Sequence, residues 1–440
     1  MTRQWSAALV ALVTSGLVLA ACGSSSKSPS STTAPSGAAT TTGSASNTAS
    51  DTGITPTTIK LGYITSVTGV ASSAFADGEG GAQARIAAQN AAGGVDGRQI
   101  QLVALDDQST PSGFGSAAQA MASKGVFGVI PYSSFTFGGY KSLQQAGIPV
   151  TGDSFDGPEW GQEPNSNMFS FLPPTSTAWN NTYYYPNYSG KFLQAIGSTK
   201  PAGFAYGISP SSTASIKAIF AGGSQTGLTK CYENLSVPFG GVDFTADVLA
   251  VKQAGCDSVT GSFVDASDLA LATAVGQAGL TNVKKLWFTG YDSNTLATPA
   301  AKAAFEGSYF QNTIIWDSSN PPVGTMLANL AKYDPKYTAG ELPDFGTWGS
   351  YLSADLMIKG LQLAGQNPTR KAFISTLRGV SSYNAGGILP SPTSFANFGT
   401  PQMIPATNCT NFVQLKNGAF VNANPNGKPV CASTVSFPAS

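Results

Sequence analysis

Short apolar runs alternate along this chain with segments in which apolar positions recur at helical spacing. IKLGYI (59–64) leads through a Ser/Thr/Gly loop to a helix expected over 77–90, and Gly93-Gly94-Val95-Asp96-Gly97 then forces a tight turn, because glycine supplies the positive φ such turns need. IQLVAL (100–105) is the next strand and ends at Asp106 and Asp107; a helix is expected over 112–124, and another strand begins at Val126. From there VFGVIPYSSFTFGGYKSLQQAGIPVTGDSF (126–155) reads as strand, hydroxyl-rich turn, helix over 138–146, strand and polar loop. Nearly continuous apolar strands alternating with helices predict a parallel sheet covered on both faces.

The pattern then starts again. AGFAY (202–206), a helix over 212–226 and CYENLSV (231–237) are followed by a helix over 243–254, where Phe244, Val248 and Val251 fall at i, i+4 and i+7 as a buried stripe. A strand at 257–261, a helix over 266–277 and the strand KLWF (285–288) run into TGYDS (289–293). A second alternating sheet means a second lobe, and FVQL (412–415), Lys416-Asn417-Gly418 and AFV (419–421) predict a closing hairpin. The expected fold class is α/β, two Rossmann-like doubly wound lobes whose loop edges face a common cleft.

The first residues read as an address. After Arg3 an apolar run over 7–21 is too short for a comfortable membrane span and suits a signal peptide. It ends Leu19-Ala20-Ala21-Cys22-Gly23, which resembles the bacterial lipobox and implies cleavage after residue 21 and lipid on Cys22. Residues 22–56 are mostly Ser, Thr, Ala, Gly and Pro, a composition that cannot bury enough apolar surface to offset ordering entropy. They are expected to form a flexible tether reaching roughly 30 Å.

Composition narrows the function. Lys plus Arg and Asp plus Glu both total 23 and only 10% of residues are charged, so no basic stripe invites nucleic acid. Histidine is absent, which removes the Ser-His-Asp triad and every histidine-containing metal site. Gly152-Asp153-Ser154-Phe155 superficially resembles the Gly-Asp-Ser block of certain lipases and esterases, but that chemistry needs the missing base. Gly78-Glu79-Gly80-Gly81 lacks the third glycine of a dinucleotide fingerprint. No catalytic role, cofactor or metal is expected. Cys231, Cys256, Cys409 and Cys431 form an even set in an exported chain and permit three disulfide pairings. Pairing sequence neighbours closes the shortest loops and is the expected arrangement.

The order of GYITSVTG (62–69), GGVDG (93–97), QLVALDD (101–107), VFGVIPYSS (126–134) and AGIPVTGDS (146–154), behind a lipobox, resembles the type I periplasmic binding proteins of the branched-chain amino-acid transport kind. The resemblance implies a Venus-flytrap receptor with a three-strand hinge, working as a monomer with ABC permease and ATPase subunits. It places the crossings near 173–174, 312–315 and 386–389, giving one lobe from 57–172 plus 313–386 and another from 173–312 plus 387–440. Helices around 323–332, 345–363 and 369–378 then return to lobe one. A sensor or adhesin on the same fold is the competing reading.

Candidate ligand contacts follow. Ser133 and Ser134 fall at the expected amino end of the 138–146 helix, where free N–H groups attract an anion, although on this stretch alone simple helix capping is the preferred reading. By resemblance Ser133 matches the carboxylate-binding serine, and Asp153 and Ser154 lie in the loop that adds the next contacts. The family's more usual Pro-Ala-Ala-Thr-like loop is replaced here by Gly152-Asp153-Ser154-Phe155. An aspartate there repels a carboxylate unless it meets an ammonium or amide. On lobe two the resemblance points to Tyr206 and Phe263 as aromatic contacts, Tyr291 as a wall and Asp292 as the ammonium partner, with a helix cap as the alternative for Asp292. The guest implied is a small polar solute: an amino acid, an amide or a related molecule.

Overall fold

The computed structural model describes residues 46–439. The leader, Cys22 and residues 22–45 of the expected tether lie outside the described residues. The remainder of that tether is not free. Asn47 Nδ2 donates to Asp96 O, Thr48 N to Asn367 Oδ1, and Asp51 accepts from Arg370 N. Arg98, wholly buried, donates to the carbonyls of Thr48, Thr55 and Gln366. Composition could not foretell this, because each of these bonds needs a partner in the body that the tether's own residue types do not reveal.

The first lobe is built on β1 (Thr58–Thr65), α1 (Ser72–Phe75), α2 (Gly78–Ala91), β2 (Gln99–Asp106), α3 (Pro111–Ser123), β3 (Gly128–Tyr132), α4 (Tyr140–Gln145), β4 (Val150–Gly152) and β5 (Met168–Ser170). Its five strands run parallel in the order β2-β1-β3-β4-β5. Every residue of β3 and β4 is buried, as expected for strands covered on both faces. The helix foreseen over 138–146 is shorter, with a 3₁₀ turn at Thr136–Gly138 before α4. Ser133 and Ser134 therefore do not stand at the amino end of an α-helix. Glycines at 138 and 139 permit this tight entry: a Cβ on Gly138 would overlap the Pro111 carbonyl.

The second lobe contains β6 (Ala178–Trp179), β7 (Thr182–Pro186), α5 (Tyr188–Ala195), β8 (Pro201–Tyr206), α6 (Pro210–Ala221), α7 (Gly223–Thr226), β9 (Tyr232–Val237), α8 (Thr245–Ala254), β10 (Ser258–Ser262), α9 (Asp265–Gln277), β11 (Lys284–Trp287), α10 (Pro299–Phe305) and β12 (Tyr309–Asn312). The chain returns to the first lobe for α11 (Pro321–Tyr333), α12 (Phe345–Leu363) and α13 (Arg370–Arg378). It ends in β13 (Thr407–Lys416), β14 (Ala419–Asn422) and β15 (Val430–Pro438). The second sheet runs β6-β7-β15-β13-β12-β11-β10-β8-β9, with β14 paired to β13. From β9 to β12 the pairing is parallel, and from β12 to β6 it is antiparallel. The β13–β14 hairpin matches the sequence reading; the β6-β7-β15 extension is an addition to it, since TYYYP (182–186) lacks the bounded apolar pattern used to find strands.

Passage between lobes occurs between β5 and β6, between β12 and α11, and between α13 and β13. The third passage is drawn out: the Phe395 ring still meets Phe169 of lobe one edge-on at 5.7 Å, whereas Met403 and Ile404 pack with Trp179 of lobe two. Cys231 is bonded to Cys256 and Cys409 to Cys431, the neighbour pairing expected. The second bridge joins residues directly opposite one another on β13 and β15.

Helix α12 anchors the first lobe. Before the last turn's Gln362 and Leu363 all of its residues are buried except Phe345, Asp355 and Lys359, so it lies between α2 and the strands β3 and β4. Close approach needs Gly81 on α2, where a Cβ would overlap the Thr347 carbonyl oxygen. Gly81→Val is expected to lower unfolding stability by about 1–3 kcal/mol, the usual cost of overpacking, read as a fall in urea midpoint at unchanged slope.

Candidate functional site

In the first lobe the loops after β3 and β4 and the start of α12 converge on one edge; in the second, the loops after β8, β10, β11 and β12 do the same. The two edges enclose a cavity with about 1260 Å³ of empty space, counting the part open to solvent. Two aromatic banks line it. On lobe one, Phe155 lies 5.9 Å from Phe75 and 5.2 Å from Phe345, and Phe345 lies 5.5 Å from Trp348, ring centre to ring centre. On lobe two, Tyr206 sits 4.5 Å from both Phe239 and Phe263. The lobes also touch through rings, Phe135 lying 5.0 Å from Phe239. Elsewhere between the lobes Leu342 N donates to Ser293 Oγ at 2.8 Å, and Ser293 N to Leu342 O.

Five of the residues expected from sequence line this cavity: Ser134, Asp153, Ser154, Tyr206 and Phe263. Asp153 is buried, and burial pushes its carboxyl up to about 7 despite hydrogen bonds from the backbone N–H groups of Ser154 and Phe155. Its charge is felt across the cavity by Tyr185 and Tyr188, whose phenols burial also raises. Ser154 Oγ donates to Pro173 O at 2.9 Å, and Ser154 N to Ser170 Oγ, so the loop is braced against the first passage between lobes. Tyr206 offers its ring rather than its hydroxyl, which donates to Ser267 Oγ at 2.7 Å and accepts from Val264 N.

Three expected contacts stand elsewhere. Ser133 is buried off the cavity wall, donates to Asp107 Oδ2 and accepts from Phe135 N. Asp107 also accepts from Ser66 Oγ and Ser109 N, so Ser133 joins a network that ties three loops of lobe one. Tyr291 stacks on Trp316 and meets Phe420 edge-on at 5.0 Å. Asp292 is 2% exposed and its Oδ1 accepts from Thr295 N at 2.9 Å, the geometry of the capping alternative. Neither is among the residues lining the cavity.

Asp292 belongs to a group of acids that nothing in the sequence pattern brought together. Burial, with Asp265 adding to it, pushes Asp292 up to about 8. Asp344, which caps α12 by accepting from Thr347 N at 2.6 Å, is pushed up to about 7 by burial, with Asp292 contributing. Asp268 is raised well above its ordinary value by burial and by Asp265; its Oδ2 accepts from Thr289 Oγ1 at 3.1 Å. Among the described residues no group of His, Cys, Asp and Glu is arranged to hold a metal ion.

The other lining residues were missed for identifiable reasons. Phe345 and Trp348 enter at i, i+3 on the first turn of α12, far along the chain from the loops they join. Ser209, Ser212 and Ser215 carry the amino end of α6, for which the run Ser209-Pro210-Ser211-Ser212 was a visible helix-start signal.

Comparison with known proteins agrees with this geometry. The sequence model of the family described as periplasmic binding protein matches residues 58–419. The chain belongs to that family. Among solved structures, the periplasmic binding proteins it resembles include a fatty acid ABC transporter substrate-binding protein from Thermomonospora curvata, at 20% identity and a TM-score of 0.67 over 85% of this chain and 93% of that one. A solute-binding protein from R. palustris in complex with benzoate has 16% identity and a TM-score of 0.67 over 86% and 97%. A branched-chain amino-acid ABC transporter protein from Thermus thermophilus with bound valine has 16% identity and a TM-score of 0.67 over 84% and 96%. No curated protein sequence matches the chain. At these identities the likeness establishes the fold that this periplasmic binding protein shares with them.

The buried carboxyl of Asp153 makes stability depend on pH. With a folded value near 7 against an ordinary 3.8, the folded protein holds this proton more tightly than the unfolded chain. That contribution is complete below pH 4 and is lost as pH rises to 7. Asp153→Asn removes it while keeping an acceptor oxygen. Urea unfolding at pH 5 and pH 8 should show a loss of stability across that interval that is smaller in the variant than in the parent, by roughly 2 kcal/mol at about 1.4 kcal/mol per pH unit.

Proposed function

We propose that this protein is the lipid-anchored extracytoplasmic solute receptor of an ABC importer. It captures a small solute, an amino acid, amide or related molecule, between its lobes and presents it to a permease. The observation that carries this reading is the division of one cavity between two separately built edges, Asp153 and Ser154 on one and Tyr206 and Phe263 on the other. A solute gains its full set of contacts only while both edges face it, so its higher affinity for the closed arrangement drives the lobes together. The closed shape is then what a permease recognises. Ser134, Asp153, Ser154, Tyr206 and Phe263 are the proposed direct contacts.

The lipobox-like Leu19-Ala20-Ala21-Cys22 supports the anchor, which keeps the receptor near its permease. Cys22→Ala in the full chain should move the protein from the membrane fraction to the soluble fraction of cells; retention in membranes sinks the anchor. For the receptor role, a thermal-shift screen of small metabolites is expected to yield at least one stabiliser, worth about 2.7 kcal/mol at a hundred times its dissociation constant. Small-angle scattering should show the stabilised form to be no larger than the free form. A screen across amines, amides, amino acids and organic acids without any stabiliser defeats the receptor reading.

A further inference from the structure

The receptor reading leaves open what charge the cavity accepts, and the inference drawn here rests on that reading. Among the described residues lining the cavity there is no lysine or arginine, and the chain has no histidine; Asp153 is the one carboxyl group on the wall. The titratable groups behind the opposite wall are acids too, and among the described residues no base stands with them. Thr289 lines the cavity and donates to Asp268, and Asp265, Asp292 and Asp344 stand close enough to act on one another.

An anionic guest would then depend on hydroxyl donors, and several are already engaged. Ser209 caps α6 by accepting from Ser212 N; Ser212 Oγ donates to Ser262 O, Ser215 Oγ to Ser212 O, Ser154 Oγ to Pro173 O and Thr410 Oγ1 to Asn312 O. The aromatic banks favour the opposite sign. A ring face is electron-rich and attracts a cation by about 0.5–2 kcal/mol, most when water is excluded. Here rings from both lobes line the same cavity as a single carboxyl group.

We propose that the solute is an organic ammonium ion, a primary or methylated amine on an apolar or aromatic body without a carboxylate of its own. Its ammonium pairs with Asp153, and its body lies between the Phe155–Phe345–Trp348 bank and the Tyr206–Phe263 bank. Asp153 thereby takes on lobe one the role that the sequence resemblance assigned to Asp292 on lobe two.

Calorimetric titration of the full chain tests this with three amines of rising bulk, choline, isoamylamine and phenethylamine, each beside a carboxylate of matched size, and with phenylalanine beside phenethylamine. At least one amine should bind ten-fold or more tightly than its carboxylate counterpart, and phenethylamine more tightly than phenylalanine. Asp153→Asn should weaken the preferred amine at least ten-fold and leave the carboxylates unchanged or improved. The comparison among ligands on the unmodified protein stands even where the variant fails to fold. Tighter binding of a carboxylate or of phenylalanine overturns the amine assignment and leaves the receptor standing. So does binding of none of these amines when another class stabilises the protein in the metabolite screen. Failure of every class removes both.

Discussion

Parallel strand pairing is the constraint from which the rest follows. When strands run the same way, all their carboxyl-end loops emerge on one edge, and in this chain two such sheets turn those edges toward each other. Gly152 ends β4 and is followed at once by Asp153; Tyr206 ends β8; Phe263 follows β10; Thr289 lies just beyond β11. None of these residues is near another in sequence except within its own loop. The sheet brings them together because a strand must be covered on both faces and can end only at that edge.

Helix α12 shows how packing converts this into a site. It is apolar enough to be buried almost all round, and it reaches α2, β3 and β4 at once because glycines face the contacts. A Cβ at Gly349 would overlap the Tyr132 ring, and one at Gly346 would crowd the Ala74 carbonyl. With the helix fixed in that slot, its first turn carries Phe345 and Trp348 to the cavity, and its cap, Asp344, to the acids of lobe two. The same tight packing strips water from carboxylates that have few donors, which is why Asp153, Asp292 and Asp344 all rise toward neutrality. In a chain only 10% charged, cations are too few to offset that loss of hydration fully: Asp344 stays raised although Lys336 is close enough to feel its charge.

Much of the framework was legible from periodicity. The strand at 202–206, the stripe of Phe244, Val248 and Val251, and the hairpin around Lys416-Asn417-Gly418 are local patterns with local causes, and Asn417 and Gly418 adopt the positive φ that such a turn requires. The site was legible only in part, because a side chain's partner is a tertiary fact. Ser133 lies one residue from a cavity-lining serine, yet it turns to Asp107, twenty-six residues earlier in the chain. A hydroxyl pattern cannot distinguish a donor for a solute from a donor for a buried carboxylate. Asp292 is the converse case: its Thr295 partner is local, so the capping alternative was visible in the sequence, whereas its acidic neighbours were not.

Two contacts bridge the lobes of this sparsely charged molecule. Phe135 against Phe239 is an apolar contact, favourable whether or not the cavity is filled, and Ser293 with Leu342 is a pair of hydrogen bonds that water replaces at little cost. In the receptor proposed above, contacts of that kind would hold the lobes near one another without fixing them, leaving the balance between open and closed to whatever occupies the space between. In that receptor, bringing Asp344 toward Asp292 and Asp265 would work against closure, since buried acids lose hydration and repel one another. A guest must supply more than that cost through contacts available only with both lobes in place, and one that binds the open and closed forms equally shifts nothing. In the proposed receptor that opposition would make the empty closed form marginal, and closure would then report occupancy.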